Sequence, residues 1–331
     1  GFLADHAALE PVSFHMPGHK GSRIYRKYGY GDFIENLVDY DITEIPGADN
    51  LFQAEGIIEA AAEKYRKLYG ARKSYLLING TSGGLIAAIL ASVSKGGRLV
   101  MARNCHKSVF NALTLGDIEP VYAYPSEIEE YGISGAVEAD EVKCLLAENP
   151  DAEAVILPSP NYYGICSDIE AISRVVHEAG KILIVDQAHG AHLKFFGKYG
   201  IGSMPPAAED CGADIVVNST HKTLLSFTQS AVLNVVSDRV DLLRLEDRLQ
   251  AVESTSPSYI LMASLDINAD IMSDHCREIT AAWETAIELF YEKAPEIRGL
   301  KVMTVPGHMD RTKLNIDMSG AGLTGAELEE L

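Results

Sequence analysis

The sequence has few cysteines, a deficit of basic residues and no long apolar run, and each shortage argues against a class of protein. The five cysteines form no Cys-x-x-Cys pair and are odd in number, which argues against a disulfide framework and predicts reduced thiols in a cytoplasmic protein. No apolar stretch approaches the roughly 20 residues that a helix needs to cross a bilayer, so we expect no membrane-spanning segment. The first residues do not join a basic region to an apolar one, which argues against a secretory signal.

Basic residues are outnumbered, with 28 Lys and Arg against 47 Asp and Glu and a formal net charge of −19. Such a surface has little with which to replace the counterions of a phosphate backbone, so we expect no nucleic-acid partner. A negative field does raise the local concentration of a cationic small substrate. It serves solubility equally well, and composition leaves the two interpretations open.

What is present is a chain of 331 residues with 47% hydrophobic side chains, enough for one large domain. From about residue 55, short apolar strands alternate with helices, which predicts an α/β fold with a mostly parallel seven-stranded sheet and helices on both faces. The predicted strands are 74–78, 98–102, 120–124, 154–158, 182–187, 214–218 and 230–236. The predicted helices are 57–69, 85–93, 106–115, 139–148, 168–179 and most of 239–293.

The character of the sequence changes after Pro295. Residues 300–305 and 314–317 have the pattern of strands in a second, α+β unit. The final residues, 323–331, are typical of a helix capped by Thr324. Because a chain does not usually finish at such a point, the sequence predicts that it is a fragment lacking a C-terminal domain.

Ligands of open parallel sheets collect beyond the carboxyl ends of the strands, so the polar residues that follow each predicted strand are candidates for a site. The first candidate is the turn 79–84, Asn-Gly-Thr-Ser-Gly-Gly, which starts a helix. Backbone N–H groups there, with the hydroxyls of Thr81 and Ser82, suit a phosphate. The turn lacks the lysine of a Walker A loop and the spacing of a dinucleotide fingerprint, so a Gly-rich helix cap explains it equally well.

The second candidate is Asp186, which ends an apolar predicted strand. A buried carboxylate is costly unless it meets a cation or hydrogen-bond donors, and a pyridinium N–H is such a partner. The rival interpretation is a metal ion bound by Asp186, His189 and His192. No further carboxylate has ligand spacing, and we expect no metal.

The third candidate is Lys222, which follows the next predicted strand. Buried lysines are readily deprotonated, which suits a Schiff base, although an isolated loop lysine is ordinarily a solvated charge. His106 lies at the same predicted sheet edge, where hydrogen bonding to the start of a helix is the rival to contact with a ligand. Together the turn, Asp186 and Lys222 fit one cofactor, pyridoxal 5′-phosphate (PLP), through its phosphate, ring nitrogen and aldehyde. We expect no other amine to be placed to form that bond.

Eight segments, in order, resemble the Orn/Lys/Arg decarboxylase family of PLP enzymes, which has the aspartate-aminotransferase-like fold. The form resembled is the shorter one, without an N-terminal wing domain. The matching segments run over nearly the whole chain and are 14–21 (FHMPGHKG), 41–51 (DITEIPGADNL), 79–84 (NGTSGG), 103–108 (RNCHKS), 160–165 (PNYYGI), 185–190 (VDQAHG), 219–223 (STHKT) and 254–259 (STSPSY).

The resemblance implies a role for each matching site residue. Lys222 would carry the Schiff base, and Asp186 would keep the pyridine nitrogen protonated so that the ring accepts electrons. His106 would stack on one face of the ring, with Ala188 against the other. His189 would lie near the ring oxygen and the substrate carboxylate, completing the catalytic set. The phosphate would be held by Gly80, Thr81, Ser82, Ser219 and His221, and by Thr255 and Ser256 of a neighbouring subunit.

The resemblance also implies an organisation and an activity. Residues 1–54 would line the active-site entrance, 55–295 would form the PLP-binding large domain, and 296–331 would begin a small α+β domain. The activity implied is decarboxylation of arginine, lysine or ornithine, a basic amino-acid substrate, in a homodimer or higher homo-oligomer with sites at the subunit interface. Because Asp and Lys alone do not define the reaction, an aminotransferase, a lyase or a non-catalytic PLP-binding paralogue are the alternatives.

Overall fold

The computed structural model describes residues 1–200, 204–305, 307 and 309–330, so Leu331 of the predicted last helix lies outside the described residues. The strands are β1 (Lys73–Leu77), β2 (Arg98–Ala102), β3 (Glu119–Ala123), β4 (Glu127–Ile128), β5 (Ile133–Ser134), β6 (Ala152–Pro158), β7 (Ile182–Asp186), β8 (Ile215–Asn218), β9 (Ala231–Val235), β10 (Lys301–Val302) and β11 (Ile316–Asp317). The α-helices are α1 (Phe2–Ala8), α2 (Arg23–Lys27), α3 (Gly31–Glu35), α4 (Ile57–Tyr69), α5 (Gly80–Ser92), α6 (Lys107–Gly116), α7 (Ala139–Glu148), α8 (Ile169–Glu178), α9 (Leu193–Tyr199), α10 (Thr220–Thr223), α11 (Leu242–Val252), α12 (Tyr259–Lys293) and α13 (Gly325–Glu330).

The main sheet has seven strands in the order β1-β9-β8-β7-β6-β2-β3. Strand β9 runs antiparallel to both of its neighbours, and the other six strands are parallel to one another. Every residue of β8 and β9 is buried, which explains why the central strands are continuous apolar runs rather than alternating patterns. The predicted fold is confirmed, and it brings the carboxyl ends of β6, β7 and β8 together at one edge.

Helices cover both faces of the sheet, and alternate side chains of a strand show the division. Leu77 and Leu233 belong to the larger apolar core, together with α5 and α11. Leu76 and Val232 point the other way into a second core with α4, α9 and α12. Among the described helices, not one combines the length and apolarity that crossing a membrane requires.

Helix α5 begins one turn earlier than its predicted start at residue 85. Its early turn contains three glycines, which disfavour helix, so the local pattern placed the start too late. The fold requires at least one of them: a Cβ added at Gly84 would lie 2.5 Å from Leu77 Cδ1 and 2.9 Å from Val217 Cγ1. Close packing of α5 on the sheet therefore overrides the local preference. Helix α9 was not predicted at all.

The segment around Gly18 packs against the region that carries the candidate site. Gly18 N donates to the carbonyl of His221 at 2.7 Å, and a Cβ added at Gly18 would lie 2.2 Å from Leu224 O. In the last part of the chain, β10 and β11 form an antiparallel pair that is shorter than predicted. The predicted cap is confirmed, because Thr324 Oγ1 accepts from Glu327 N at 3.3 Å.

Candidate active site

A cavity of about 200 Å³ lies at the carboxyl ends of β6 and β7, beside the turn that begins α5. Its lining contains six of the residues that the sequence singled out, namely Thr81, His106, Asp186, Ala188, His189 and Lys222. The lining also contains residues to which the sequence analysis gave no role, although some lie in the matching segments 103–108 and 160–165; these are Asn104, Ser134, Pro158, Pro160, Asn161, Tyr162 and Tyr163. Most of these residues end or follow β6, so the rule that polar strand ends form the site would have indicated them had it been applied to that strand.

Asp186 ends β7 and is 6% exposed. Its Oδ1 accepts a hydrogen bond from Ala188 N at 3.1 Å. Burial raises the pKa of this carboxyl group, although the Ala188 amide, Lys222 and His106 act in the opposite direction. A carboxylate in such a place is stabilised by a cationic N–H donor in the cavity, and a pyridinium nitrogen is one.

Gln187, the residue after Asp186, belongs to a buried network centred on Glu209. The carboxylate of Glu209 accepts from Gln187 Nε2 at 2.9 Å, from Asn218 Nδ2 at 2.8 Å and from Asn234 Nδ2 at 2.9 Å. These amides lie just beyond β7, at the end of β8 and within β9. One carboxylate thus ties three neighbouring strands together and orients the residues that follow them.

Lys222 lies in the short helix α10, and its Nζ is 3.1 Å from His189 Nε2. Burial lowers the pKa of Lys222, while Asp186 opposes the shift. The other ring nitrogen of His189, Nδ1, lies 3.0 Å from Lys313 Nζ. Burial and both lysines lower the pKa of His189 to about 3. Lys313 thus reaches His189 from the last part of the chain, but it is not among the residues that line the cavity, and the expectation that only Lys222 is placed to form the Schiff base stays a prediction.

The turn that begins α5 has the features expected of a phosphate-binding site. Gly80 has a φ of +69°, which favours glycine. Asn79 makes no side-chain cap, since its Nδ2 donates to Val252 O at 2.9 Å, and this leaves the first amides of the helix available to an anion. Thr81 Oγ1 lies 3.1 Å from Ser219 Oγ, both residues being buried. The neighbouring Ser82 is half-buried.

The two remaining histidines of the predicted site differ in their surroundings. His106 is the N-cap of α6, and its Nδ1 accepts from Ser108 N at 3.3 Å while the ring lines the cavity. Both interpretations of His106 therefore have a structural basis. His221 Nδ1 donates to Ser230 O at 2.7 Å, and His221 is not among the lining residues. Its contact with a phosphate stays a prediction.

Thr255 and Ser256 are exposed and do not line the cavity of their own chain. The hydroxyl-rich loop that contains them does supply a helix cap, because Ser258 Oγ accepts from Leu261 N at 3.4 Å at the start of α12. Before the loop, Glu253 is buried, and its Oε2 accepts from Ile78 N at 3.1 Å. Burial raises the pKa of Glu253 to about 7. The loop is thus anchored beside the turn 79–84 of the same chain.

The residues of the rival metal site have separate partners. His189 contacts the two lysines, whereas His192 Nε2 is 3.2 Å from the Asp310 carboxylate and 3.1 Å from Thr312 Oγ1. In the part of the chain that the structure describes, no three His, Cys, Asp or Glu side chains gather so that they could hold a metal ion.

The arrangement fits PLP at three points. A buried carboxylate borders the cavity for a ring nitrogen, a lysine with a lowered pKa borders it for an aldehyde, and an uncapped helix start with two buried hydroxyls suits a phosphate. The donors and acceptors are thus complementary to one molecule.

The chain is similar in sequence and in fold to known decarboxylases. The profile described as "Orn/Lys/Arg decarboxylase, major domain" matches residues 1–307. The arginine decarboxylase of Bacillus subtilis (strain 168) is 32% identical and covers 99% of this chain and 67% of that protein. Lysine decarboxylase LdcA of Pseudomonas aeruginosa is 28% identical, covering 82% of this chain and 39% of that protein.

The crystal structure of the Francisella novicida lysine decarboxylase LdcF has a TM-score of 0.70 at 24% identity, over 91% of this chain and 45% of that one. This likeness shows the fold. The chain spans about two thirds of the length of the B. subtilis relative and less than half of that of the two lysine decarboxylases. With the family profile matching most of its length, the chain belongs to the Orn/Lys/Arg decarboxylase family.

Proposed function

We propose that the protein binds PLP through Lys222 and decarboxylates a basic amino acid, arginine, lysine or ornithine, in the cytoplasm. The observation that carries the proposal is the single cavity that Asp186, Lys222 and Thr81 share, in a chain of this family. Relatives named arginine decarboxylase and lysine decarboxylase support the substrate class. Five cysteines without a disulfide are in keeping with a reducing compartment.

When bound, PLP supplies an electron sink for the bond that breaks between the substrate Cα and its carboxylate. Asp186 would hold the ring nitrogen in its protonated form, since the buried carboxylate and the N–H stabilise each other's charge. Lys222 must be neutral to bond to the aldehyde, and its burial lowers its pKa in that direction. Lys222 and His221 are the two candidate acids for the proton that Cα receives. Lys222 is the better candidate, because it lines the cavity while His221 bonds to Ser230.

The test is incubation of the encoded protein with PLP and, separately, arginine, lysine and ornithine. We expect carbon dioxide and the corresponding amine from at least one of the three. Keto-acid without carbon dioxide would show an aminotransferase instead. A Schiff-base spectrum with no product from any substrate would show a non-catalytic PLP-binding protein.

The subunit arrangement is also a proposal: a homodimer in which Thr255 and Ser256 reach the phosphate of the partner. Their exposure in the single chain supports it, since neither borders the cavity of its own chain. PLP binding and dimerisation should then strengthen each other by mass action. A Thr255→Ala, Ser256→Ala double variant should bind PLP at least about tenfold more weakly, through the loss of hydrogen bonds to a charged group.

Sedimentation with and without PLP measures the dimer, and a fluorescence titration measures the binding of PLP. The exposed hydroxyls of Thr285 and Ser319 provide a matched control, whose double alanine variant should bind normally. A monomer that binds PLP as tightly as the dimer would rule out the shared site.

A further inference from the structure

We propose that Lys313 is a further site residue that shares one proton with Lys222 through the imidazole of His189. The contacts are direct: Lys313 Nζ is 3.0 Å from His189 Nδ1, and Lys222 Nζ is 3.1 Å from His189 Nε2. The use of that proton in decarboxylation depends on the proposed function. The sharing itself does not depend on that function.

Hydrogen-bond chemistry limits the three groups to one ammonium. His189 is neutral, because burial and both lysines hold its pKa far below the usual value. A neutral imidazole offers one N–H and one lone pair, on opposite nitrogens. An ammonium can only donate, so it can bond only to the nitrogen with the lone pair. The lysine at the N–H must accept, and it must therefore be a neutral amine.

The proton can change sides without a charge appearing on the ring. In one state Lys313 is the ammonium and donates to Nδ1, while Nε2–H donates to the amine of Lys222. Transfer of a proton from Lys313 to Nδ1, and of the Nε2 proton to Lys222, leaves Lys313 neutral and Lys222 as the ammonium. The imidazole has changed tautomer and nothing has been oxidised or reduced. Lys222 is thereby neutral when it must bond to an aldehyde and protonated when it must act as an acid.

Several contacts of the fold hold Lys313 in position. Gly164 has a φ of +87°, and a Cβ there would lie 2.9 Å from both Cβ and Cγ of Lys313. Asp310 N donates to Gly164 O at 2.8 Å. The Asp310 carboxylate, which is fully buried, accepts from Thr312 N at 2.9 Å and pairs with His192. These contacts hold residues 310–313 against the loop that follows β6.

The surroundings of both lysines lower their pKa values. Burial lowers the pKa of Lys313, and the neighbouring Lys222 lowers it further. Asp310 opposes this shift at Lys313, and Asp186 opposes the shift at Lys222. Among the residues that the structure describes, four other titratable groups face this set. His106 acts on His189, and the ring of Tyr162 contacts His189. Lys20 and His192 line a neighbouring cavity with both lysines.

The experiment compares Lys313→Met with Lys313→Arg. Its first measurement is the rate at which the PLP-free protein forms the Schiff base, as a function of pH and followed by absorbance, which needs no turnover. Removing a neighbouring positive charge raises the pKa of Lys222, so the Met variant should need a pH about one unit higher for the half-maximal rate. Arginine keeps the charge but cannot release a proton, so its midpoint should be no higher than that of the natural protein. Lys301→Met, at an exposed lysine of the same unit, is the control.

The second measurement is kcat with the best of the three basic amino acids. Both variants should lose about 10²-fold or more, the ordinary size of a general acid–base contribution. The Arg variant is the decisive case, because it should form the Schiff base normally and still turn over slowly. If a melting curve shows that one of the two variants does not fold, Lys313→Gln is measured in its place.

A Met variant with an unshifted midpoint would overturn the shared proton, and an Arg variant with normal kcat would overturn its use in the reaction. If the natural protein decarboxylates none of the three substrates but the midpoint shifts as expected, the proposed function fails and the shared proton stands. The two failures are therefore distinguishable.

Discussion

Lys222→Ala should lose the Schiff-base absorbance of bound PLP and reduce turnover by about 10⁴-fold or more, which corresponds to more than about 5 kcal/mol of activation free energy. The reason is that, in the proposed function, Lys222 supplies both the amine that holds the cofactor and the better-placed acid of the site. Absorbance spectra, borohydride reduction and peptide mapping, together with kcat, measure the two losses separately.

The second amine in the site makes peptide mapping the critical part of that experiment. Lys313 is one histidine away from Lys222, so a small amount of adduct on Lys313 in the variant is compatible with the assignment. Lys107→Ala provides the control, because Lys107 is an exposed lysine beside His106 and should leave the adduct intact. If Lys222→Ala keeps a borohydride-reducible adduct at the natural stoichiometry, Lys222 is not the residue that binds the aldehyde.

Asp186→Asn should keep PLP bound but reduce kcat by about 10³-fold, or about 4 kcal/mol. The carboxylate ends β7 in a buried position, where its charge would favour a protonated ring nitrogen. An amide leaves that nitrogen neutral, and a neutral pyridine is a poor electron sink. The proposed charge-assisted hydrogen bond would contribute about 2–3 kcal/mol to PLP binding in addition, so a weaker affinity should accompany the slower turnover.

A buried aspartate at the other end of the sheet gives a matched control for this substitution. Asp214 lies just before β8, is 0% exposed, and accepts from Leu183 N at 2.7 Å and pairs with His177 at 2.9 Å. Asp214→Asn should therefore lower the melting temperature while kcat stays near normal. Asp186→Asn with near-normal kcat would mean that Asp186 is only a structural carboxylate at a strand end.

The sequence by itself was sufficient to predict the strands of the sheet and some of the residues that line the cavity. Strands buried on both faces appear as continuous apolar runs, so their ends could be recognised, and parallel strands must bring those ends together. Asp186, Lys222 and Thr81 could be placed beside one cavity for this reason. The predicted bounds of helices α4 and α7 equal the observed ones, because both helices have apolar faces with helical spacing and clear ends.

Only the tertiary structure decided the features that depend on contacts between distant parts of the chain. Helix α5 begins at Gly80 because Gly84 lets it pack closely on β1 and β8, a condition that no local pattern contains. Thr81 and Ser219, far apart in sequence, are brought within hydrogen-bonding distance by the same packing. Local propensity is a weak prior at such positions, and packing outweighs it.

Lys313 is a second case in which the sequence alone does not indicate a contact, here beside the candidate site. In the sequence it belongs to a short polar segment before a weak strand, which is equally typical of a solvated turn. Its role depends on a buried Asp310 that pairs with His192, and on a glycine that leaves room for its side chain. The sequence thus determined which residues end the parallel strands, because buried strands that alternate with helices form a repeating local pattern. The partners that set the proton positions of those residues depend on burial and distance in the folded chain, and these exist only in the tertiary structure.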